Sequence, residues 1–304
     1  MRVDRHPTLA ETDAAAVTAL LDRARVVDGR APLSERKWID ALESGPEGVA
    51  TVLARESEDG SLVGVAQVSG HGAAWGVELV IDPDHRSREE EIGEALLGAA
   101  VDAVAEAGGG RIYLWVSHAG PGDDRVAATR GLVPGRELLQ MRRPLPVGQP
   151  FELATRPFVR GKDEAAWLAV NNRAFAAHPE QGGWTEANLA ARMREPWFDP
   201  AGFLLHERDG RLAGFCWTKI HADQDPTLGE IYVIGVDPDF KGAGIGRPLV
   251  LAGLDSLARR GAAIGMLYVD PSNHSAMRLY DGLGFSVDHV DRAYVGEVEP
   301  RVTT

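Results

Sequence analysis

Three things are scarce in this sequence. It has a single cysteine, Cys216, in 304 residues, which excludes an intramolecular disulfide framework and any multi-cysteine metal centre and fits a reducing compartment. It has no run of about 18 apolar residues, so no segment can span a bilayer. Nor does any leading apolar segment resemble a signal peptide, and a cytoplasmic protein is expected. Positive charge is also short. With 32 Lys and Arg against 45 Asp and Glu the formal net charge is −13, which argues against a nucleic-acid partner, because that affinity is built from clustered cations neutralising phosphates. A neutral or cationic small-molecule substrate fits better, with no membrane partner.

What is present is length and glycine. A chain of 304 residues is long for one core, since single cores stop growing near roughly 250–300 residues, and two domains are expected. The 35 glycines and 44% apolar content favour a globular α/β (α+β) protein over disorder or fibre.

The chain repeats itself. "DGSLVGVA" (59–66) returns as "DGRLAGFC" (209–216), each a two-residue Asp-Gly turn opening an apolar strand. "VELVIDPDHR" (77–86) returns as "IYVIGVDPDFK" (231–241), and "RIYLWV" (111–116) as "IGMLYV" (264–269). Landmarks that share one offset, about 150 residues, point to a duplicated domain. Contiguous domains 1–145 and 146–304 are expected, joined through the three prolines of "RRPLPVGQP" (142–150). Each half reads as helix, helix, strand, hairpin, strand, helix, strand, helix, strand. In the second half the first helix is expected over about 162–177, and the second starts near Thr185, a capping residue.

The densest glycine cluster is "KGAGIGR" (241–247). A dinucleotide fingerprint fails on spacing, and a Walker loop fails for want of a terminal Gly-Lys-Ser/Thr. Two readings remain. The glycines either make a tight turn and nothing more, or they let a phosphate reach the amides of a helix N-terminus after a strand ending at Val236.

"VDPDFKGAGIGRPLV" followed by "LYVDPSNHSAMRLYDGLGF" resembles the core motif pair of the GNAT family of N-acetyltransferases, whose acetyl-CoA loop runs Gln/Arg-x-x-Gly-x-Gly/Ala. Here that loop is Lys241-Gly242-Ala243-Gly244-Ile245-Gly246, with lysine at the first position. The resemblance covers both halves and implies two tandem domains, each a mixed, mostly antiparallel sheet flanked by helices. In the first half the corresponding run is Arg88-Glu89-Glu90-Glu91-Ile92-Gly93. Three adjacent carboxylates repel a phosphate, so the first domain is expected to be degenerate and non-catalytic, with the second catalytic. "PLSE" (32–35), "HPEQGGWT" (178–185), "GFCWTKIH" (214–221) and "GEIYVIGVDP" (229–238) narrow the resemblance to the mycothiol synthase branch. Its members acetylate the cysteinyl amine of a cysteinyl-glucosaminyl-inositol.

Acetyl transfer to an amine needs a deprotonated nucleophile, a polarised thioester and a stabilised leaving thiolate. An α-amino group has a pKa of about 8, so one carboxylate suffices as base and no metal is required. The resemblance implies Glu230 as catalytic base and Tyr280 as the donor to the leaving sulfur. It implies Glu35, Glu180, Lys219, Glu230 and Tyr268 as acceptor contacts. Its acetyl-CoA contacts are Ile234, Gly235 and Val236, the loop Lys241 through Gly246 with Arg247, and Asn273, His274, Ser275, Ala276, Met277 and Arg278. In the first copy Leu79, Val80 and Ile81 stand in the same relation to acetyl-CoA. Taken singly, Glu230 is also a strand-end carboxylate and Tyr280 a core aromatic, while His178 and His221 are either substrate hydrogen-bonders or, as lone histidines usually are, structural. Gly235 is expected to mark a bulge or a close ligand approach, and Cys216 to be a small buried hydrophobe. Another amine acceptor, or a non-catalytic acyl-CoA sensor, stays open, and a monomer is expected.

Overall fold

The computed structural model describes residues 1–29, 32–33, 50–71, 74–176, 182–222 and 224–301. They form two compact units, Met1–Leu138 with His289–Thr304, and Leu139–Asp288. This differs from the contiguous halves expected from the repeat, because the closing strand of each half is exchanged.

In the first unit, β1 (Arg2–His6), β2 (Ala50–Arg55), β3 (Leu62–His71), β4 (Ala74–Ile81) and β5 (Gly110–Val116) follow one another across the sheet. The strand β12 (Ser286–Val298), from the far end of the chain, completes it by pairing antiparallel with β5, Val298 on Gly110 and Arg292 on Val116. Helix α1 (Glu11–Asp28) covers one face through Val17, Leu20, Leu21 and Ala24, and ends at Gly29, whose φ of 63° is left-handed. Helix α2 (Glu89–Glu106) covers the other through Ile92, Leu96 and Leu97, and α3 (Pro121–Ala128) packs beside it. The leading strand β1 has no counterpart in the sequence reading. The second helix expected in this half falls largely in 34–49, outside the described residues.

The second unit repeats the plan. Its sheet runs β7 (Arg156–Pro157), β8 (Phe203–Arg208), β9 (Arg211–His221), β10 (Leu228–Val236), β11 (Ile264–Val269), and is completed by β6 (Val133–Pro144), whose residues Leu139–Pro144 pair with β11. The expected linker at 142–150 therefore begins inside a strand: Arg142, Arg143 and Pro144 are registered on Met266, Gly265 and Ile264. Helix α4 (Glu164–Ala174) starts two residues later and ends three residues earlier than the expected 162–177, and α5 (Glu186–Arg194) starts one residue after Thr185, as expected. Thr185 accepts from the Asn188 amide as cap. The α4 side carries an aromatic core of Trp167, Phe203, Phe215 and Trp217. On the opposite side α6 (Gly246–Arg259) and α7 (His274–Asp281) bury Leu249, Leu254, Leu257 and Tyr280. No described helix is long and apolar enough to cross a membrane.

The two Asp-Gly turns are not equivalent. Asp209 and Gly210 both have positive φ, 54° and 71°, the two-residue primed turn of a tight hairpin. In the first copy the connection is 56–61, closed by Glu56 N–H donating to Ser61 O, with the Asp59 carboxylate accepting from Ser61 N. One dipeptide thus serves two loop lengths, because Ser61 leaves the ladder.

Candidate active site

The site is built on a parallel strand pair that comes apart. β10 is registered on β11 only from Leu228 to Glu230, opposite Ile264 to Met266. Beyond that point β10 continues to Val236 on its antiparallel partner β9, while β11 continues to Val269 on β6. Separation starts where β10 bulges: Ile231 faces Thr218 and Val233 faces Trp217, leaving Tyr232 as the extra residue. A bulge raises local twist and bends its strand, and here it turns β10 away from β11. Of the two expectations for Gly235, a bulge or a close ligand approach, the bulge is not there, since Gly235 is in regular register with Phe215. Its glycine has another cause, since a Cβ there would stand 2.9 Å and 3.0 Å from two atoms of the Phe215 ring.

Ile234, Gly235 and Val236 therefore line the open stretch of β10. It delivers the chain to Asp237, whose carboxylate accepts from Asp239 N (2.9 Å) and sets a 3₁₀ turn over Pro238–Phe240. The loop Lys241–Ile245 follows, with Gly242 and Gly244 at φ 81° and 77°, before α6 begins at Gly246. This helix start has no side-chain cap and no acidic residue in its first turn. Its amides and dipole are left facing outward, as an anion site requires. The Lys241 and Arg278 side chains are exposed and engage no partner among the described residues, whereas Arg247 donates to Gln149 Oε1 (2.6 Å). On α7, His274 and Ser275 are exposed and Ala276 and Met277 half-buried. Asn273, expected as an amide clamp, is the α7 cap and accepts from Ala276 N (3.1 Å).

The first unit has the same separation of strands and a different helix start. β4 is registered on β5 as far as Glu78 opposite Trp115, so Leu79, Val80 and Ile81 extend past the ladder. There the 3₁₀ turn Pro83–Arg88 runs directly into α2, without a glycine loop. Glu89, Glu90 and Glu91 form the first turn, Arg88 pairs with Glu91 and Glu56, and Arg125 with Glu90. These guanidinium bonds hold Glu90 and Glu91 below the usual carboxylate range. Gly93, aligned by sequence with the loop, lies inside α2, where a Cβ would meet Val126 at 3.3 Å.

Glu230 sits where β10 and β11 part and is only 8% exposed. Register puts Lys219 opposite it on β9 and Met266 opposite it on β11, and Tyr268, two residues past Met266, shares that face. The structure thus gathers Lys219, Glu230 and Tyr268, while Glu35, Glu180 and His178 lie outside the described residues. The Lys219 ammonium stands 4.7 Å from the Trp197 ring centre, and the Tyr268 hydroxyl accepts from Gln140 Nε2 (2.7 Å). His221 Nε2 lies 2.8 Å from Glu230 Oε2. His221, read from sequence as a substrate hydrogen-bonder or a structural histidine, shares the face of Lys219 two residues along β9. Arg192 Nε donates to the Tyr232 hydroxyl (3.0 Å), and burial raises that phenol above its usual range. Neither Arg192 nor Tyr232 was singled out from sequence.

Tyr280 lies on the opposite face, packed tilted against Phe285 with ring centres 5.7 Å apart. Its hydroxyl has no hydrogen-bond partner among the described residues. Burial, with a smaller contribution from buried Cys216, pushes its pKa well above that of a free phenol, so it stays protonated and able to donate. Cys216 is fully buried as expected, and burial pushes its thiol up to about 12.

Residues 167–285 match the acetyltransferase (GNAT) family model. Among solved structures the chain is similar to a GCN5-related N-acetyltransferase from Sphaerobacter thermophilus, with TM-score 0.72, 23% identity and 99% and 98% of the two chains covered. It is also similar to a tandem GNAT protein of the clavulanic acid biosynthesis pathway, with TM-score 0.71, 18% identity and 99% and 100% covered. These show the fold. In sequence it is 44% identical to the mycothiol acetyltransferase of Thermobispora bispora over 93% of this chain and 95% of that one. The corresponding protein of Streptomyces coelicolor is 43% identical, with 94% and 92% covered. At that identity and coverage, the chain belongs to the mycothiol acetyltransferase family of tandem GNAT proteins.

Proposed function

We propose that the second unit transfers acetyl from acetyl-CoA to the cysteinyl amine of a cysteinyl-glucosaminyl-inositol, forming mycothiol, by direct attack in a ternary complex. The observation that carries this is that buried Glu230 stands at the parting of β10 and β11, on the strand whose C-terminal end leads into an uncapped, acid-free helix start. The thioester lies along the open edge of β10, with the CoA phosphates on the amides of Gly244–Arg247 and near the cations Lys241 and Arg278. Glu230 removes a proton from the substrate ammonium, about one pKa unit of work at neutral pH. The free amine then attacks the carbonyl carbon; as the adduct collapses the C–S bond breaks, the Tyr280 phenol gives its proton to the departing sulfur, and the second proton lost by the nitrogen restores the phenol. A backbone amide of β10, with Val236 the candidate, faces the developing oxyanion.

Lys219 and Tyr268, on the face of Glu230, orient the acceptor. The first unit, whose helix start is filled by its own carboxylates, is not catalytic, and the enzyme works as a monomer in the cytoplasm. The test is acetyl-CoA turnover with the cysteinyl-glucosaminyl-inositol amine against a panel of amino-acid and antibiotic amines. Selective turnover is expected. Equal rates across the panel would reject the acceptor, and tight acetyl-CoA binding without any turnover would reject catalysis. Glu230→Gln is expected to lower kcat by about 10²–10⁴, the span of general-base catalysis, and to leave acetyl-CoA affinity unchanged.

A further inference from the structure

The geometry points to His221 as the positioning residue for the catalytic carboxylate: it holds one oxygen of Glu230 and leaves the other for the amine. This rests on Glu230 being the base, as proposed above. Glu230 is 8% exposed, and a carboxylate so far from water needs a charge or hydrogen-bond partner to stay ionised and fixed. The partner that register offers is Lys219, directly across the β9–β10 ladder, but its ammonium is over the Trp197 ring. Among the described residues the Glu230 side chain makes one hydrogen bond, to His221 Nε2 at 2.8 Å on Oε2.

The direction of that bond follows from charge. An ionised carboxylate only accepts, so Nε2 must carry the hydrogen and donate. A neutral imidazole is thereby fixed as the Nε2–H tautomer, and Nδ1, in a side chain 22% exposed, is the acceptor. Because Nε2 is already protonated, it cannot take the proton that Glu230 receives. His221 is therefore no relay. With Oε2 occupied, the proton from the substrate nitrogen goes to Oε1, and it leaves from Oε1 when product departs. The fixed carboxylate is pre-oriented, and fixing a base removes a rotational cost from the transition state.

The experiment compares His221→Leu, which removes the donor, with His221→Gln, whose amide nitrogen reaches the place of Nε2. The expected result is a fall in kcat of about tenfold or more for His221→Leu, the loss of a hydrogen bond to a charged group, with KM for acetyl-CoA within about twofold. His221→Gln is expected to recover kcat to within about threefold of the wild type. In a Glu230→Gln background, adding His221→Leu should lower kcat no further, because the two residues act as one unit. Should His221→Leu not fold, His221→Ala supplemented with imidazole serves instead, and rescue of kcat is expected. Unchanged kcat in His221→Leu, Gln and Leu variants equally impaired, full additivity with Glu230→Gln, or no imidazole rescue each overturns the assignment. If Glu230→Gln itself keeps full kcat, the base reading fails first. If Glu230→Gln is impaired and His221→Leu is not, only the role of His221 falls.

Discussion

Glu230 and Lys219 face each other across the β9–β10 ladder and do not form an ion pair; the ammonium is held over Trp197, 4.7 Å from the ring centre. A cation resting on an aromatic face keeps its donors available to a ligand. Lys219→Met retains the stem packing on Trp197 and deletes the charge. The expected outcome is a rise of about tenfold in KM for the acceptor, the scale of one hydrogen bond from a charged group, with KM for acetyl-CoA within twofold. A fall in kcat with the acceptor KM untouched would place Lys219 in the chemistry instead.

The glycines of 241–247 separate by cause. Gly242 and Gly244 are left-handed, and Gly246 is not; a Cβ at Gly246 would meet nothing within 4 Å. Gly246 is thus not required by the chain itself, while the other two are. Gly244→Ala is expected to cost about 1–2 kcal/mol of stability from the αL penalty. Gly246→Ala is expected to raise the stability of the ligand-free chain by up to about 1 kcal/mol, as alanine replaces glycine in a helix. Acetyl-CoA affinity should nevertheless weaken at least tenfold, since the methyl stands between ligand and amides. Thermal melts and titration calorimetry on the two variants decide this; an affinity unchanged by Gly246→Ala removes the ligand from the explanation.

Cys216 supplies a pH test. Burial raises its thiol from 9.0 to about 12, so the fold favours the neutral form. Its contribution is complete below the unfolded pKa near 9 and is lost as pH climbs towards 12, because only the unfolded thiol ionises in that window. Cys216→Ala should therefore lose less stability between pH 9 and 12 than the wild type, read as urea midpoints at each pH. Parallel curves would show that Cys216 ionises as readily in the folded chain. Alkylation by iodoacetamide at pH 8 should likewise require unfolding.

The repeat, the order of elements in the second half and the glycine loop were legible because each rests on local pattern: Asp-Gly turns, alternating apolar strands, a Thr185 cap. What escaped depends on register. The connection from His221 to Leu228 is not a two-residue turn, so the sequence does not say which residue of β9 faces Glu230, and the His221 bond stayed hidden. Gly235 carried the local signal for a bulge or a close ligand approach, yet the bulge occurs at Tyr232, a residue type that gives no such signal. The exchange of β6 and β12 has no local signature either: each strand carries the same pattern whichever sheet it closes.

The first unit yields the last expectation. Its strands β4 and β5 part as β10 and β11 do, so the separation of the two strands is retained. The start of α2 is not. Glu90 is bonded to Arg125 on α3 and Glu91 to Arg88, and a Cβ placed on Gly122 would lie 3.4 Å from Glu89 Oε1. Carboxylates thus stand beside the amides and dipole that a pyrophosphate would use, and they are favourable there for the same reason. The start of α3 is engaged too, its Gly120 N–H donating to Asp123 Oδ2 at 2.9 Å. A polyanion entering would have to break these pairs and meet like charge. The chain should therefore bind one acetyl-CoA, measured by calorimetry at moderate ionic strength, and Gly246→Ala in the second unit should weaken that single event. Replacing Glu89, Glu90 and Glu91 together by glycine, alanine and glycine is expected to create a second, weaker site. Two equivalents bound by the wild-type chain, with the second insensitive to Gly246→Ala, would show that the carboxylates do not close the first unit.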